Sequence, residues 1–377
     1  MKNVEKRLND YKYENIPENK KVNIIGIMLE AYNDFSKFES IEFESDPYEK
    51  FHEIQEESYS GELVTNIFAG GTINTERAFL SGYRNIPPMR GKTNTYVQYF
   101  KEQGYETMGR HQCYGWFYNR KNINRSMGFE KYCFFEDSYS EYEMTYLVRN
   151  GDNILMSDII EDYEKCINSG NDCFHFSVTY QNHGPYYAGE GYDTAFLQWK
   201  EDYDEESYAV ANNYFNGIQR TGEALRKLIL YFEAQQEPVV IVMFGDHNPW
   251  MGDNNSIYEM LGINLDLDTE EGFYNYYCTP YLIWGNNAAE EILNVQFRGE
   301  GKSISPCFLM NELFELIGYV GNEYMQYTSE IYERFPVLHT NTFVEDGVFT
   351  RELSKESKEI INEFDRVQYY WIYDKKQ

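Results

Sequence analysis

Two apolar runs constrain this chain more than any other feature. Val22-Asn23-Ile24-Ile25-Gly26-Ile27-Met28-Leu29 and Pro238-Val239-Val240-Ile241-Val242-Met243-Phe244 are nearly continuous in apolar residues. A strand with one wet face alternates apolar and polar side chains. A run without alternation fits a strand buried on both faces, as in a parallel sheet covered by helices. Further strand-like runs, Leu63–Phe68, Tyr105–Met108, Phe174–Thr179 and Pro280–Gly285, are interleaved with helical patterns. The helical patterns fall at Asp46–Ser58 (solvated), Thr75–Leu80, Thr93–Gln103, Ser157–Asn168, Tyr208–Gln235 and Ser305–Ile317. This predicts an α/β fold with a mainly parallel central sheet sandwiched by helices. Residues 1–20 read as a polar lead-in, 21–320 as the main α/β domain and 321–377 as a small C-terminal α+β subdomain. The last piece has a hairpin pattern over Thr342–Phe349 and a helical one over Lys355–Asp365.

The strand-like runs share a second property. Each of five is followed by a residue of the metal-binding or nucleophilic kind: Glu30, Thr72, His111, His183 and Asp246-His247. Open α/β sheets bind ligands at the carboxyl ends of their strands. Singly, each residue has a plainer reading. Glu30 reads equally as a solvated strand end. Thr72, after Gly70-Gly71, reads as a helix N-cap, although Glu76 misses the capping-box position by one residue. His175 lies inside a strand and carries no chemistry. His111 and Arg120 bracket Tyr114, Trp116, Phe117 and Tyr118 and read as a pocket wall. Together, Glu, Asp, His and a hydroxyl make a mixed oxygen and nitrogen site for a divalent cation, Mn2+, Mg2+ or Zn2+. Such an ion would lower the pKa of a threonine hydroxyl and let it attack phosphorus to form a covalent intermediate. Thr75 competes with Thr72 as that nucleophile. The turn at Gly70-Gly71 favours Thr72, because Thr75 falls inside the first helical turn.

Composition bounds the partners. The chain has 377 residues, is 42% hydrophobic and carries a formal net charge of -29. A sizeable core is possible, and the basic footprint of a nucleic-acid binder is absent. An anionic substrate would need local positive charge from a metal or a few arginines. The 36 Tyr and 25 Phe fit a core and half-buried clefts that suit sugars and glycerol-like groups. Six cysteines without a CxxC pair argue against a zinc ribbon. Mostly free thiols are expected, with Cys166–Cys173 or Cys113–Cys133 as the pairs to check. No run reaches membrane-span length, and the charged stretch Met1–Lys20 is not a signal peptide. That leaves a cytoplasmic protein or a piece of something longer.

The ordered motifs Met28-Leu29-Glu30, Gly70-Gly71-Thr72-Ile73-Asn74-Thr75-Glu76, His111 through Tyr118-Asn119-Arg120, Asn182-His183-Gly184-Pro185-Tyr186 and Gly245-Asp246-His247-Asn248-Pro249 resemble those of one family. It is the lipoteichoic acid synthase group of phosphoglycerol transferases, within the alkaline phosphatase and sulfatase superfamily. The resemblance covers roughly residues 22 to 320. It implies Thr72 as the nucleophile; Glu30, Thr72, Asp246 and His247 as ligands of one divalent ion; and His111, Tyr118, Arg120 and His183 as substrate-binding residues. Tyr118 stands where the family often has tryptophan. The implied donor is a glycerophospholipid head group, and the acceptor is a hydroxyl of a glycolipid or growing polymer. The implied location is the extracellular face of a Gram-positive-type membrane, reached through a segment absent from this chain. A sulfatase is a rival reading, but Leu282 stands where the CxPxR context of Cys278-Thr279-Pro280-Tyr281 needs arginine. A phosphoethanolamine transferase, a phosphodiesterase or a non-catalytic binding homologue are the others.

Overall fold

The two apolar runs become neighbouring strands at the centre of one sheet. The structure, a computed structural model, describes residues 2–375. Its main sheet contains β1 (Asn23–Leu29), β2 (Tyr59–Val64), β3 (Glu106–His111), β4 (Lys131–Cys133), β5 (Cys173–Val178), β6 (Val239–Gly245), β7 (Cys278–Gly285) and β8 (Gly299–Glu300), in the spatial order β4-β3-β5-β1-β6-β7-β2-β8. β7 alone runs against the others. Every residue of β1, β5 and β6 is buried.

Burial on both faces explains the missing alternation. Ile24 and Met28 of β1 pack into one core layer with Phe79, Phe100 and Leu313. Ile25, Ile27 and Leu29 point the other way, toward Ile218, Leu225 and Ile159. The first layer is covered by helices Ile73–Ser81, Tyr96–Glu102 and Leu309–Ile317, the second by Glu49–Glu56, Met144–Asn168 and Glu205–Glu233. Helix Glu205–Glu233 buries Ile218, Leu225, Leu228, Ile229 and Phe232 along one stripe, and the Asp204 side chain caps it by accepting from Ser207 N. Gly26 matters for the site above it. A Cβ there would lie 2.9 Å from Phe176 and 3.3 Å from Phe79, so its absence lets the helix that begins after Thr72 seat closely on β1.

Beyond the sheet, β9 (Val337–Leu338), β10 (Phe343–Glu345) and β11 (Val348–Thr350) form a small antiparallel sheet. Helix Lys355–Tyr373, capped by Ser354, follows. Several expectations shift. The lead-in contains a helix, Lys2–Leu8, because Val4 and Leu8 share one face and are buried in the same core layer as Phe364 and Val367. The strand expected over Leu63–Phe68 lies earlier, at Tyr59–Val64, where the chain pairs with β7. The helix expected at Ser157 starts at Met144, and the one expected to be solvated buries Phe51 and Ile54. All six cysteines are free, including the two candidate pairs.

Helix Glu49–Glu56 is tied to the loop after β1 by His52. Its Nε2 lies 2.9 Å from Asp34 Oδ2 and its Nδ1 3.0 Å from Asp46 Oδ2. The hydrogen bond to Asp34, against a smaller opposing effect of burial, pushes the imidazole from 6.5 up to about 8. A pKa raised by folding gives stability that is complete below the unfolded value and is lost as pH rises through the folded one. For this half-exposed group the contribution, discounted for solvent screening, is about 1 kcal/mol. Urea unfolding should show wild-type stability falling by about that much more than the His52→Gln variant's between about pH 6 and about pH 9. Equal pH dependence in the two proteins would show that the bridge contributes nothing.

Candidate active site

The sheet register brings the polar strand ends together. β1 and β6 pair from Asn23↔Val239 to Leu29↔Gly245, so the next residues, Glu30 and Asp246, emerge side by side. Asp246 N donates to Leu29 O at 3.1 Å, continuing the ladder one step. On the other flank, His111 is the last residue of β3 and pairs with Val178, which pairs in turn with Met28. Glu30 N donates to Thr179 Oγ1 at 2.8 Å, which fixes the turn out of β1.

Glu30, Asp246 and His247 offer ligand atoms that lie within 4.8 Å of one another, and all three residues are buried. Asp246 Oδ1 accepts from Ala31 N and His247 N, both at 2.8 Å. Its Oδ2 is buried and accepts no well-formed hydrogen bond among the described residues, although the Thr72 hydroxyl lies close enough to favour the Asp246 carboxylate. His247 Nδ1 sits 2.8 Å from Asn248 O, so Nδ1 carries a proton and Nε2 points at the acids. Nε2 is 3.2 Å from Asp246 Oδ2, 3.9 Å from Glu30 Oε1 and 3.5 Å from Thr72 Oγ1. Burial, and then Asp246, push the Glu30 carboxyl well up, and burial raises Asp246. Burial opposes charge on His247, but the Asp246 and Glu30 carboxylates outweigh it and raise the imidazole. Two buried acids and an imidazole nitrogen grouped this closely could hold a divalent cation, which would relieve this mutual repulsion, and the Thr72 hydroxyl lies beside them.

Thr72 reaches this point through an unusual turn. Ala69, Gly70 and Gly71 all have positive φ, at 53°, 124° and 80°, a run that glycines permit and alanine tolerates only when held. Ala69 N holds it by donating to Asn248 O at 3.2 Å, which links the loop to the end of β6. Helix Ile73–Ser81 starts next, and Thr72 makes no side-chain cap bond. The plain capping reading is therefore not realised, and the hydroxyl is left to face His247. Thr75 does not bond back to its own helix. Its Oγ1 donates to Asp246 O at 2.8 Å and pins the helix to the strand end.

These groups form the floor of a cavity of about 460 Å³. Of the residues singled out from sequence, Glu30, Thr72, His111, Tyr118, Arg120, His183 and His247 line it, and Asp246 lies beneath them. His111 donates from Nδ1 to Val178 O at 3.0 Å; burial and the nearby Arg120 keep it neutral, leaving Nε2 as an acceptor. His183 is exposed, at the rim. Tyr118 has φ 54° and presents a half-open ring, with the Arg120 guanidinium 5.3 Å from its centroid. Arg120 differs from the free fork expected. It is 2% exposed, and its Nε and Nη2 are 2.9 and 2.8 Å from Glu76 Oε2.

Sequence reasoning missed Glu76, which it weighed only as a failed capping box. Glu76 is four residues after Thr72, on the same helix face, and that spacing was the available signal. It also missed Asn248 as an organiser. The Asn248 side chain accepts from Asn33 Nδ2 at 2.5 Å and donates to Tyr276 O at 2.9 Å. Tyr180 and Trp250, each a few residues past a strand, complete the walls.

Fold and site together define a protein of the alkaline phosphatase and sulfatase superfamily. The sulfatase family profile matches residues 22–319, and the chain belongs to that family. Its fold is similar to that of Streptococcus pyogenes phosphoglycerol transferase GacH in complex with sn-glycerol-1-phosphate, with TM-score 0.72, 18% identity, and 99% of this chain and 92% of that one covered. It is also similar to the lipoteichoic acid synthase LtaP from Listeria monocytogenes, with TM-score 0.66, 14% identity, and 98% and 97% covered. A proposed cyclic β-1,2-glucan modification protein of Rhizobium meliloti is 25% identical over 337 residues, 84% of this chain and 49% of that protein. The chain thus spans about half the length of the curated relatives it matches.

The Glu76–Arg120 pair generates a stability prediction. Removing one partner of a buried ion pair strands the other charge at a cost of about 3–5 kcal/mol. Arg120→Ala should therefore lower unfolding free energy by about that amount, and the double variant Arg120→Met, Glu76→Leu should recover most of it. A loss below about 1 kcal/mol for Arg120→Ala would mean that the pair is solvated in solution.

Proposed function

We propose that this protein is a metal-dependent phosphoglycerol transferase that takes the head group of a glycerophospholipid onto Thr72 and passes it to a hydroxyl acceptor. The observation carrying this reading is the approach of the Thr72 hydroxyl, uncommitted to capping, to the point on which Glu30, Asp246 and His247 converge. Those four residues would hold the ion, Mn2+ or Mg2+ in preference to Zn2+, which when bound supplies a lowered hydroxyl pKa and charge neutralisation on a phosphoryl oxygen. In the first half-reaction Thr72 Oγ1 forms a bond to phosphorus and the diacylglycerol oxygen leaves. In the second, an acceptor oxygen displaces Thr72 Oγ1. His111 Nε2, a neutral acceptor, suits a glycerol hydroxyl. Arg120 supplies fixed positive charge against the phosphoryl group, with Glu76 holding its orientation.

The family name does not decide the ester. A formylglycine sulfatase makes its nucleophile from Cys or Ser, and here the position carries Thr72. Cys278 is buried with Val64, Phe273 and Val337, and Thr72 rather than Cys278 lines the cavity. The aromatic wall of Trp116, Phe117 and Tyr118 favours a second reading in one respect, since such rings also take an ammonium head group. Phosphatidylethanolamine is therefore the control donor. The proposal includes work on a cell-envelope polymer at the extracellular face of the cell membrane. Among the described residues no helix is long and apolar enough to cross a membrane.

With Mn2+ and phosphatidylglycerol, the protein should release diacylglycerol, and mass spectrometry of trapped enzyme should find the phosphoglycerol adduct on Thr72. Thr72→Ala should abolish release while the fold and most metal affinity persist, because Glu30, Asp246 and His247 remain. An adduct on Thr75, or full activity of Thr72→Ala, removes this mechanism. Faster release from phosphatidylethanolamine replaces the donor.

A further inference from the structure

We propose that Asp152, Thr221 and Asn182 are positioning residues, a buried anchor that fixes where His183 stands over the candidate active site. The anchor is read from geometry; what His183 does there rests on the transferase reading, in which it contacts the transferred head group. His183 is exposed at the rim of the cavity. Its Nδ1 lies 2.7 Å from Gly184 O, which leaves Nε2 for a ligand, and its ring centroid is 5.3 Å from that of Tyr180. Both partners belong to the loop after β5, so the imidazole stands where that loop stands.

One residue before His183, the loop is tied down. Asn182 has φ 70° and is buried. Its N donates to Val148 O of helix Met144–Asn168 at 3.2 Å, and its carbonyl accepts from Tyr186 Oη at 2.6 Å. Its Nδ2 donates at 3.0 Å to Thr221 Oγ1, on helix Glu205–Glu233. Gln181 Nε2 donates to the same oxygen at 3.2 Å, and Thr221 donates its one proton to Asp152 Oδ2 at 2.7 Å. Burial pushes the Asp152 carboxyl up to about 6, against hydrogen bonds from Thr221 and from the Gln181 and Tyr180 backbone. At neutral pH it is therefore a carboxylate and can only accept. That commits the Thr221 proton to Asp152 and leaves the two Thr221 lone pairs for the amides. The same two helices share a core layer of Leu155, Ile159, Ile218 and Leu225, which fills space without setting a direction. The polar chain sets one, from both helices to the loop. Gly217 fits it: a Cβ there would collide with Asn182 Oδ1, so helix Glu205–Glu233 leaves a notch for this side chain.

The test reads His183 directly and then its consequence. NMR records the ring resonances of the six histidines, and that of His183 is the one lost in His183→Ala. Asn182→Gly keeps the left-handed backbone but cuts the anchor. Gly217→Ala crowds Asn182 without removing the Asp152–Thr221 bond, and Thr221→Val removes the hydroxyl. Each should shift the His183 resonance and weaken calorimetric binding of glycerol 1-phosphate with Mn2+ about tenfold, and Thr221→Ser should restore both. Because Thr221→Val strands the Asp152 carboxylate, Asn182→Gly and Gly217→Ala carry the test where that variant does not fold. His183→Ala should weaken binding as much, and adding Asn182→Gly to it should cost nothing further, because the anchor acts through that ring. An unmoved His183 resonance in the anchor variants, undiminished binding in them or in His183→Ala, or an equal further loss on the His183→Ala background overturns the proposal. If no protein, wild type included, binds glycerol 1-phosphate while the His183 resonance moves as expected, the transferase reading fails and the anchor remains.

Discussion

The in-register pairing of β1 with β6 is the constraint on which the rest depends. It sets two carboxylates, Glu30 and Asp246, beside each other at the buried end of a sheet. Like charges in that setting raise each other's pKa and strain the protein unless something positive arrives. The surroundings satisfy only half of Asp246: two backbone N–H groups occupy Oδ1, and Oδ2 faces His247. Thr75 and Ala69 then fasten the Thr72 turn to the same strand end. The hydroxyl is thus placed by bonds to the carboxylate-bearing segment, so any shift in one is felt by the other.

The net charge makes this arrangement more informative. A chain of -29 repels an anionic lipid head group unless the site reverses the field locally. Arg120 is the buried cation of the cavity wall, and Glu76 already offsets much of its charge. Arg77 donates to the Tyr118 carbonyl at 2.8 Å and does not line the cavity. On the proposed reading, Arg120 shares the task with a cation held where Glu30, Asp246 and His247 come together.

Much of this was legible in the sequence where one physical signal dominated. β1 and β6 are buried on both faces, so their apolar runs are unbroken, and the first polar residue after each marks the sheet edge. The long helices announced themselves by their stripes. The short edge strands β4 and β8 have too few residues for a period. β2 was displaced because the apolar pattern runs through Phe68, whereas pairing with β7 stops at Val64 and the chain then leaves the sheet to build the turn before Thr72. The Glu76–Arg120 pair spans 44 positions, and nothing local reports it. The helix near the start has only two apolar residues, and they gain their burial from distant parts of the chain, the helices Glu323–Arg334 and Lys355–Tyr373.

The central claim is that the acids at the ends of β1 and β6 are held together for a divalent cation. The most direct measurement is anomalous diffraction from crystals grown with Mn2+. The account predicts one strong peak in the cavity floor, with Glu30, Thr72, Asp246 and His247 oxygen or nitrogen atoms at about 2.0–2.2 Å. A peak bound elsewhere, or none at saturating Mn2+, would contradict it.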